Sequence, residues 1–267
     1  MSEPLVLTRQ QEHLYFVTLN RPEKRNALTQ DMLEQLARAV RACDTLPDLR
    51  AILINANGPV FSAGVDVMAL AGLRASTGGQ HPSRWLRRLA DRWQRLLYDI
   101  ESIEIPVIAV LQGRVIGLGL ELALACDLRV AAVDAELSLP ETRLGLVADV
   151  GGTTRLSRTV GPSRAKDLLM TARAIGAAEA LQWGLVNRVV PVAALQEAAL
   201  ILAQEIARNA PLAVGMTKHI IDQGDGLDKH TQMALERWAQ SQLITSEDAA
   251  EAMSAFLEKR PGRFVGK

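Results

Sequence analysis

The sequence has too few cysteines to staple a fold. Cys43 and Cys126 are two residues in 267, and both fall within apolar helical pattern. A disulfide framework is excluded, and core thiols in a reducing cytoplasm are expected. Net charge is missing too: 30 Lys and Arg balance 30 Asp and Glu. No bulk-charge argument for nucleic acid or an anionic membrane remains. The longest apolar stretch, around 105–126, is broken by Gln112, Arg114 and Glu121, so it is not a membrane span. The first residues, MSEPLVLTRQ, lack the basic and apolar regions of a secretory signal, and none is expected. The histidines His13, His81, His219 and His230 show no metal-ligand spacing, so no metal is expected.

What is present is ample apolar material. Hydrophobic residues make up 48% of the chain and charged ones 22%, enough for a packed core in one large domain or in a domain with a helical appendage. Strands are expected at 5–8 and 14–19, joined by a turn at Gln10-Gln11-Glu12. Thr29 reads as the N-cap of a helix with Met32, Leu33, Leu36, Ala37 and Val40 on its apolar face. Apolar runs at 51–54 and 105–111 read as buried strands, and further strands are expected at 128–132, 135–139 and 185–190. Trp85, Leu89, Trp93, Leu96 and Ile100 mark one face of a long helix. Its other face carries Arg84, Arg87, Arg88, Arg92 and Arg95, either solvated or turned to an anionic ligand. Residues 71–84, with Gly78-Gly79 and Pro82, read as a mobile loop. Helices are expected at 163–172, 177–183, 192–209, 212–222, 227–243 and 247–258. The alternation implies an α/β core over 1–191 and a smaller helical subdomain over 192–267.

Residues 105–152 organise the rest. A buried strand leads into Gly113, Gly117 and Gly119, and then into an apolar segment whose one charge is Glu121. An ionised carboxylate among Leu118, Leu120, Leu122, Ala123 and Leu124 is costly unless it is hydrogen-bonded or its pKa rises. Glu141 follows Pro140, and Asp149 lies beside Gly151-Gly152. Acids placed after glycine turns are candidates for acid–base work; a capping or solvent-facing Glu121 is the other reading. Gly117-Leu118-Gly119 lacks the third glycine and the acidic partner of a dinucleotide fingerprint.

Read in order, these segments resemble the crotonase, or enoyl-CoA hydratase/isomerase, superfamily. The resemblance rests on Asn20-Arg21-Pro22 with Asn26-Ala27-Leu28, on Phe61-Ser62-Ala63-Gly64-Val65-Asp66, and on Gly113, Gly117 and Gly119 with Glu121-Leu122-Ala123-Leu124 and Cys126-Asp127. Pro140-Glu141 with Gly145, Gly151-Gly152-Thr153, Ser246-Glu247-Asp248 and Glu258-Lys259-Arg260 extend it along nearly the whole chain.

It implies a crotonase-like ββα spiral core with a C-terminal helical trimerisation subdomain, assembled as homotrimers or dimers of trimers. It also implies an acyl-CoA thioester as substrate, with coenzyme A part of that substrate and no separate cofactor. The amides of Val65 and Leu118 would hold the thioester oxygen. The glycines beside them let the backbone approach a ligand, and the start of a helix favours negative charge at Leu118. Many relatives carry glycine at position 118, so Leu118 would narrow the acyl pocket. Glu121 and Glu141, 20 residues apart, match the pair with which hydratases add water to a trans-2-enoyl-CoA. Asp149 resembles instead the extra acid of 3,5- to 2,4-dienoyl-CoA isomerases; capping, or pairing with Arg143 or Arg155, is the structural alternative. Coenzyme A would lie along Lys24, Arg25, Ala27, the run Ala63, Gly64, Val65, Asp66 and Val67, then Gly117 and Leu118, with Phe256 and Lys259 supplied by a neighbouring subunit. A catalytically silent homologue that binds coenzyme A or a protein is the reading of a different class.

Overall fold

The computed structural model describes residues 4–75, 81–224 and 226–267. In chain order the elements begin with β1 (Val6–Gln11), β2 (Leu14–Leu19), α1 (Gln30–Ala42), β3 (Ala51–Ala56), α2 (Val67–Ala75) and α3 (Pro82–Ser102). β4 (Val107–Leu111), β5 (Arg114–Ile116), α4 (Leu118–Leu124), β6 (Leu128–Ala132), β7 (Glu136–Ser138), α5 (Gly152–Val160) and α6 (Pro162–Thr171) follow. The last are β8 (Ala174–Gly176), α7 (Ala177–Trp183), β9 (Arg188–Val190), α8 (Leu195–Ala207), α9 (Pro211–Gly224), α10 (Lys229–Leu243) and α11 (Glu247–Glu258).

The larger sheet has the order β1-β2-β3-β4-β6-β9. Its first pair is antiparallel and every later pair is parallel. Parallel strands buried on both faces read as unbroken apolar runs, and β3 and β4 show why. Ile52, Ile54, Ala109 and Leu111 face a cluster with α1 and α3, including Leu33, Leu36, Leu97 and Ile100. The alternate residues Leu53, Ile108 and Val110 pack under Leu195, Ala199 and Leu202 of α8. The first helix after residue 191 therefore covers the second face of the sheet.

The smaller sheet is β5-β7-β8, with β5 and β7 parallel. Its first strand follows β4 of the larger sheet after two residues, and it carries the site described below.

Several local expectations change in the folded chain. Residues 71–75 are not loop but the end of α2, whose start is fixed when Asp66 Oδ1 accepts from the Ala69 amide at 3.0 Å. Pro82 opens α3, as proline suits a first helical position; the rest of the expected loop, 76–80, lies outside the described residues. The strand expected at 185–190 shrinks to β9. Gly184 (φ 75°) ends α7, and the Leu185 amide turns back to Ala180 O at 2.8 Å. The hairpin turns at Glu12-His13, and Glu12 takes φ 51°. No helix among the described residues is long and apolar enough to cross a membrane.

Candidate active site

Three residues of β5 bring the site together. On one edge Ile116 pairs with Ser138 of β7, and the Gly117 amide donates to Ser138 O at 2.9 Å. On the other edge Ser62 bridges Val115, and Ile116 N donates to Ser62 O at 3.0 Å. Three segments distant in sequence thus end side by side: 62–66, the start of α4 after β5, and the turn after β7.

The 62–66 segment is held on its far side by the loop after β2. Asn26 is fully buried; its side chain donates to Asn57 O and Val60 O and accepts from Arg21 N. Ser62 Oγ donates to Asn26 O at 2.8 Å and accepts from Gly64 N at 3.2 Å. Arg21 pairs with Asp66 at 2.6 Å. The Ala69 amide and the Arg21 side chain both hold the Asp66 carboxyl below its usual range. Gly64 takes φ 90°, and a Cβ there would lie 2.8 Å from Ile116 O and 3.7 Å from the Leu118 amide nitrogen. That proximity demands glycine. The bridge between Leu28 and Val65 uses the amides of Leu28 and Asp66, not that of Val65. Leu118 is the first residue of α4, where amides lack a partner within the helix. Neither the Val65 nor the Leu118 amide donates a hydrogen bond among the described residues.

The acids converge on the same place. Glu121 is 2% exposed, one turn into α4. Its Oε1 accepts from the Val150 and Gly152 amides at 2.8 and 2.9 Å. Burial outweighs those donors, the charges of Glu141 and Asp149 add to it, and the carboxyl is pushed up to about 7. Glu141 opens a 3₁₀ turn, three residues past β7. A Cβ on Gly117 (φ 51°, ψ −123°) would lie 2.6 Å from Glu141 Oε1. Glu141 Oε2 is buried without a hydrogen bond among the described residues. Burial, and after it the charge of Asp149, raises the Glu141 carboxyl, and burial raises Asp149. Arg155, an expected partner of Asp149, pairs with Glu101 instead. A hollow of about 400 Å³ between Gln94, Tyr98, Thr153 and Arg155 reaches Asp149. A larger one, about 740 Å³, lies between α9, the end of α3 and Asp127, and none of the three acids lines it.

The profile of the enoyl-CoA hydratase/isomerase family matches residues 9–267. The chain belongs to that family. The 2,3-dehydroadipyl-CoA hydratase of Escherichia coli is 38% identical over 269 residues, the whole of both chains. The crotonyl-CoA hydratase of Syntrophomonas wolfei is 36% identical, covering 98% of each chain. The crystal structure of enoyl-CoA hydratase from Bacillus anthracis superposes with a TM-score of 0.92 at 34% identity, covering 99% of this chain and 100% of that one. The crotonase-like α/β core with its helical C-terminal region is therefore the fold of this enzyme.

In this hydratase/isomerase fold, Glu121, Glu141, Asp149, Val65, Leu118, Gly64 and Gly117 come together as described. Lys24 and Arg25 are exposed on the loop beside them, and Arg25 O accepts from the Ala63 amide at 2.9 Å. Ala27 is half-buried and Val67 begins α2. Asp66 serves as the Arg21 partner and the cap of α2. Phe256 is 81% exposed on α11 and Lys259 caps that helix in the left-handed conformation. No hydrogen bond among the described residues joins either to the site. Sequence reasoning gave no role to Ser62, Gln94 or Glu101. Each acts on a segment remote in sequence, a pairing that local pattern does not carry.

Proposed function

We propose that this enzyme adds water to a trans-2-enoyl-CoA. One observation carries the reading: the Val65 and Leu118 amides, which donate no hydrogen bond among the described residues, stand beside the buried Glu121 carboxyl and the half-buried Glu141. Donors aimed at a developing oxyanion are worth about 3–4 kcal/mol each to a transition state. The thioester oxygen would sit between the two amides. Glu121, ionised, takes a proton from water as the water oxygen bonds to the β-carbon. The electron pair of the double bond moves into the thioester enolate. Glu141, protonated, gives its proton to the α-carbon as the enolate collapses. Proton transfer from Glu121 to Glu141 restores the pair. Burial raises both carboxyls, with the charge of Glu141 adding to the rise at Glu121 and that of Asp149 to the rise at Glu141.

Lys24 and Arg25 would meet the coenzyme A phosphates, and Ala27, Ala63, Asp66 and Val67 would flank the pantetheine arm. Phe256 and Lys259 would reach coenzyme A from a neighbouring subunit of a homotrimer or dimer of trimers. Exposed Trp238, Met253, Phe256 and Leu257 on α10 and α11 support such contacts. Buried free thiols at Cys43 and Cys126 support a reducing cytoplasm.

Crotonyl-CoA absorbance should fall on adding micromolar enzyme, and a static signal would sink the reading. Light scattering should return three or six chains; a monomer would remove the subunit contribution.

Asp149 favours a second reading. Its half-buried carboxyl raises that of Glu141. One of these acids would take a proton from C2 of a 3,5-dienoyl-CoA, the double bonds would shift to C2=C3 and C4=C5, and the other acid would give its proton to C6. Such a substrate should then gain conjugated absorbance, and full activity in Asp149→Asn would exclude this reading. Coenzyme A binding without turnover on either substrate would leave the silent homologue.

A further inference from the structure

We propose that Arg155, locked by Glu101, is a positioning residue that sets the Glu121 carboxylate through the main chain of residues 150–152. This rests on the reading of Glu121 as the group that acts on water.

The chain of contacts is short. Glu101 lies in the last turn of α3. Its two oxygens accept from Arg155 Nε at 3.0 Å and Nη2 at 2.7 Å, a bidentate pair of fixed geometry. The remaining nitrogen, Nη1, donates to Val150 O at 3.1 Å. From the other side of the same segment, the Val150 and Gly152 amides donate to Glu121 Oε1. One guanidinium therefore joins the end of α3 to the loop that holds the carboxylate.

Gly151 makes this close approach possible. It takes φ 101° and ψ 0°, and a Cβ there would lie 2.0 Å from Arg155 Nη1. Gln94 stands two turns earlier on α3 and donates to Asp149 O at 2.5 Å. Residues 149 and 150 are thus both gripped by α3, directly or through Arg155.

An Arg–Glu pair with side chains only 13% and 32% exposed also stabilises the fold. What separates positioning from stability is the ionisation of Glu121. The Gly152 and Val150 amides favour its charged form; burial, Glu141 and Asp149 oppose it. Glu141 faces it from the turn after β7 and Asp149 from the loop itself, while Arg155 of α5 and Glu101 of α3 stand behind that loop. A loosened loop removes the two favourable contributions and leaves the rest.

The test compares Arg155→Met, Arg155→Lys and Glu101→Gln with the wild-type enzyme. The readouts are kcat and KM for crotonyl-CoA against pH, and a carbon-13 NMR titration of the Glu121 carboxyl assigned by its loss in Glu121→Gln. Arg155→Met should lower kcat about 10- to 100-fold with KM within about twofold. Its Glu121 titration should rise by about one unit as the amide donors are lost. Arg155→Lys should recover part of both effects, and Glu101→Gln should fall between. An unmoved Glu121 titration and pH profile in Arg155→Met overturns the proposal, whatever happens to the melting temperature. If that variant does not fold, Glu101→Gln decides by the same criterion. If the wild type turns over no enoyl-CoA, the functional reading falls, and the NMR titration alone decides whether Arg155 positions Glu121.

Discussion

Replacing Glu121 with glutamine should stabilise the protein while removing its activity, and the stability gain should depend on pH. Glu121 is 2% exposed. Its carboxyl is raised from 4.5 to about 7, first by burial, against the pull of the Gly152 and Val150 amides. In the unfolded chain the group ionises near its ordinary value. Between the two values the folded chain holds a proton that the unfolded chain has released, so rising pH favours unfolding. The penalty is absent below about pH 4.5 and complete above about pH 7. At ~1.4 kcal/mol per unit, it amounts to about 3 kcal/mol. Glutamine keeps the shape and the Oε1 acceptor for both amides but carries no charge. The unfolding free energy of Glu121→Gln, relative to wild type, should therefore grow by about 3 kcal/mol from about pH 4.5 to about pH 8. Urea titrations at one protein concentration measure it. Crotonyl-CoA hydration in the same variant should fall about 10²- to 10⁴-fold. A stability difference that does not change with pH, or a variant less stable than wild type at about pH 8, would refute the premise that burial outweighs hydrogen bonding at this carboxyl.

Gly117→Ala should cost about 100-fold in kcat, because its Cβ would displace Glu141 Oε1 from 2.6 Å. It should also lower the melting temperature, since an L-residue at φ 51°, ψ −123° is strained by about 1–3 kcal/mol. Arg129→Met should destabilise by about 3 kcal/mol or more in urea. The buried guanidinium donates to Leu185 O at 2.7 Å, Cys126 O at 2.8 Å and Ala123 O at 3.3 Å, and methionine removes all three donors, leaving Ala123 O only its main-chain ones. Cys43 and Cys126 are buried with thiols pushed up to about 12. A chromogenic disulfide reagent at neutral pH should therefore titrate both only after denaturation, and fast reaction of either in the native protein would contradict that burial.

Much of the core was legible because its signals are local. The apolar runs at 51–54 and 105–111 became β3 and β4. Thr29 caps α1 through its hydroxyl, which accepts from Met32 N at 3.2 Å. The acids and the glycines around them were visible as chemistry out of place in apolar surroundings. β5 was not legible. Its three residues lie in what reads as a glycine turn, and they form a strand because β7 and Ser62 pair with them from either side. α5 was missed for a related reason. It starts at Gly152, and Gly151 in a left-handed conformation stands where a capping side chain usually signals a helix.

The sequence by itself determined the alternation of strands and helices through short-range periodicity, set Glu121 among leucines, and carried in its motifs the resemblance to the hydratase/isomerase family. Tertiary structure alone decided that the Val65 and Leu118 amides find no hydrogen-bond acceptor among the described residues and that Glu141 arrives beside Gly117. It also decided that Arg155 turns to Glu101 rather than to Asp149. Those outcomes depend on which strand edges meet and in what register, and on contacts spanning up to 54 residues of chain. Pairing over such distances is set by the packing of the whole core, which no local pattern encodes.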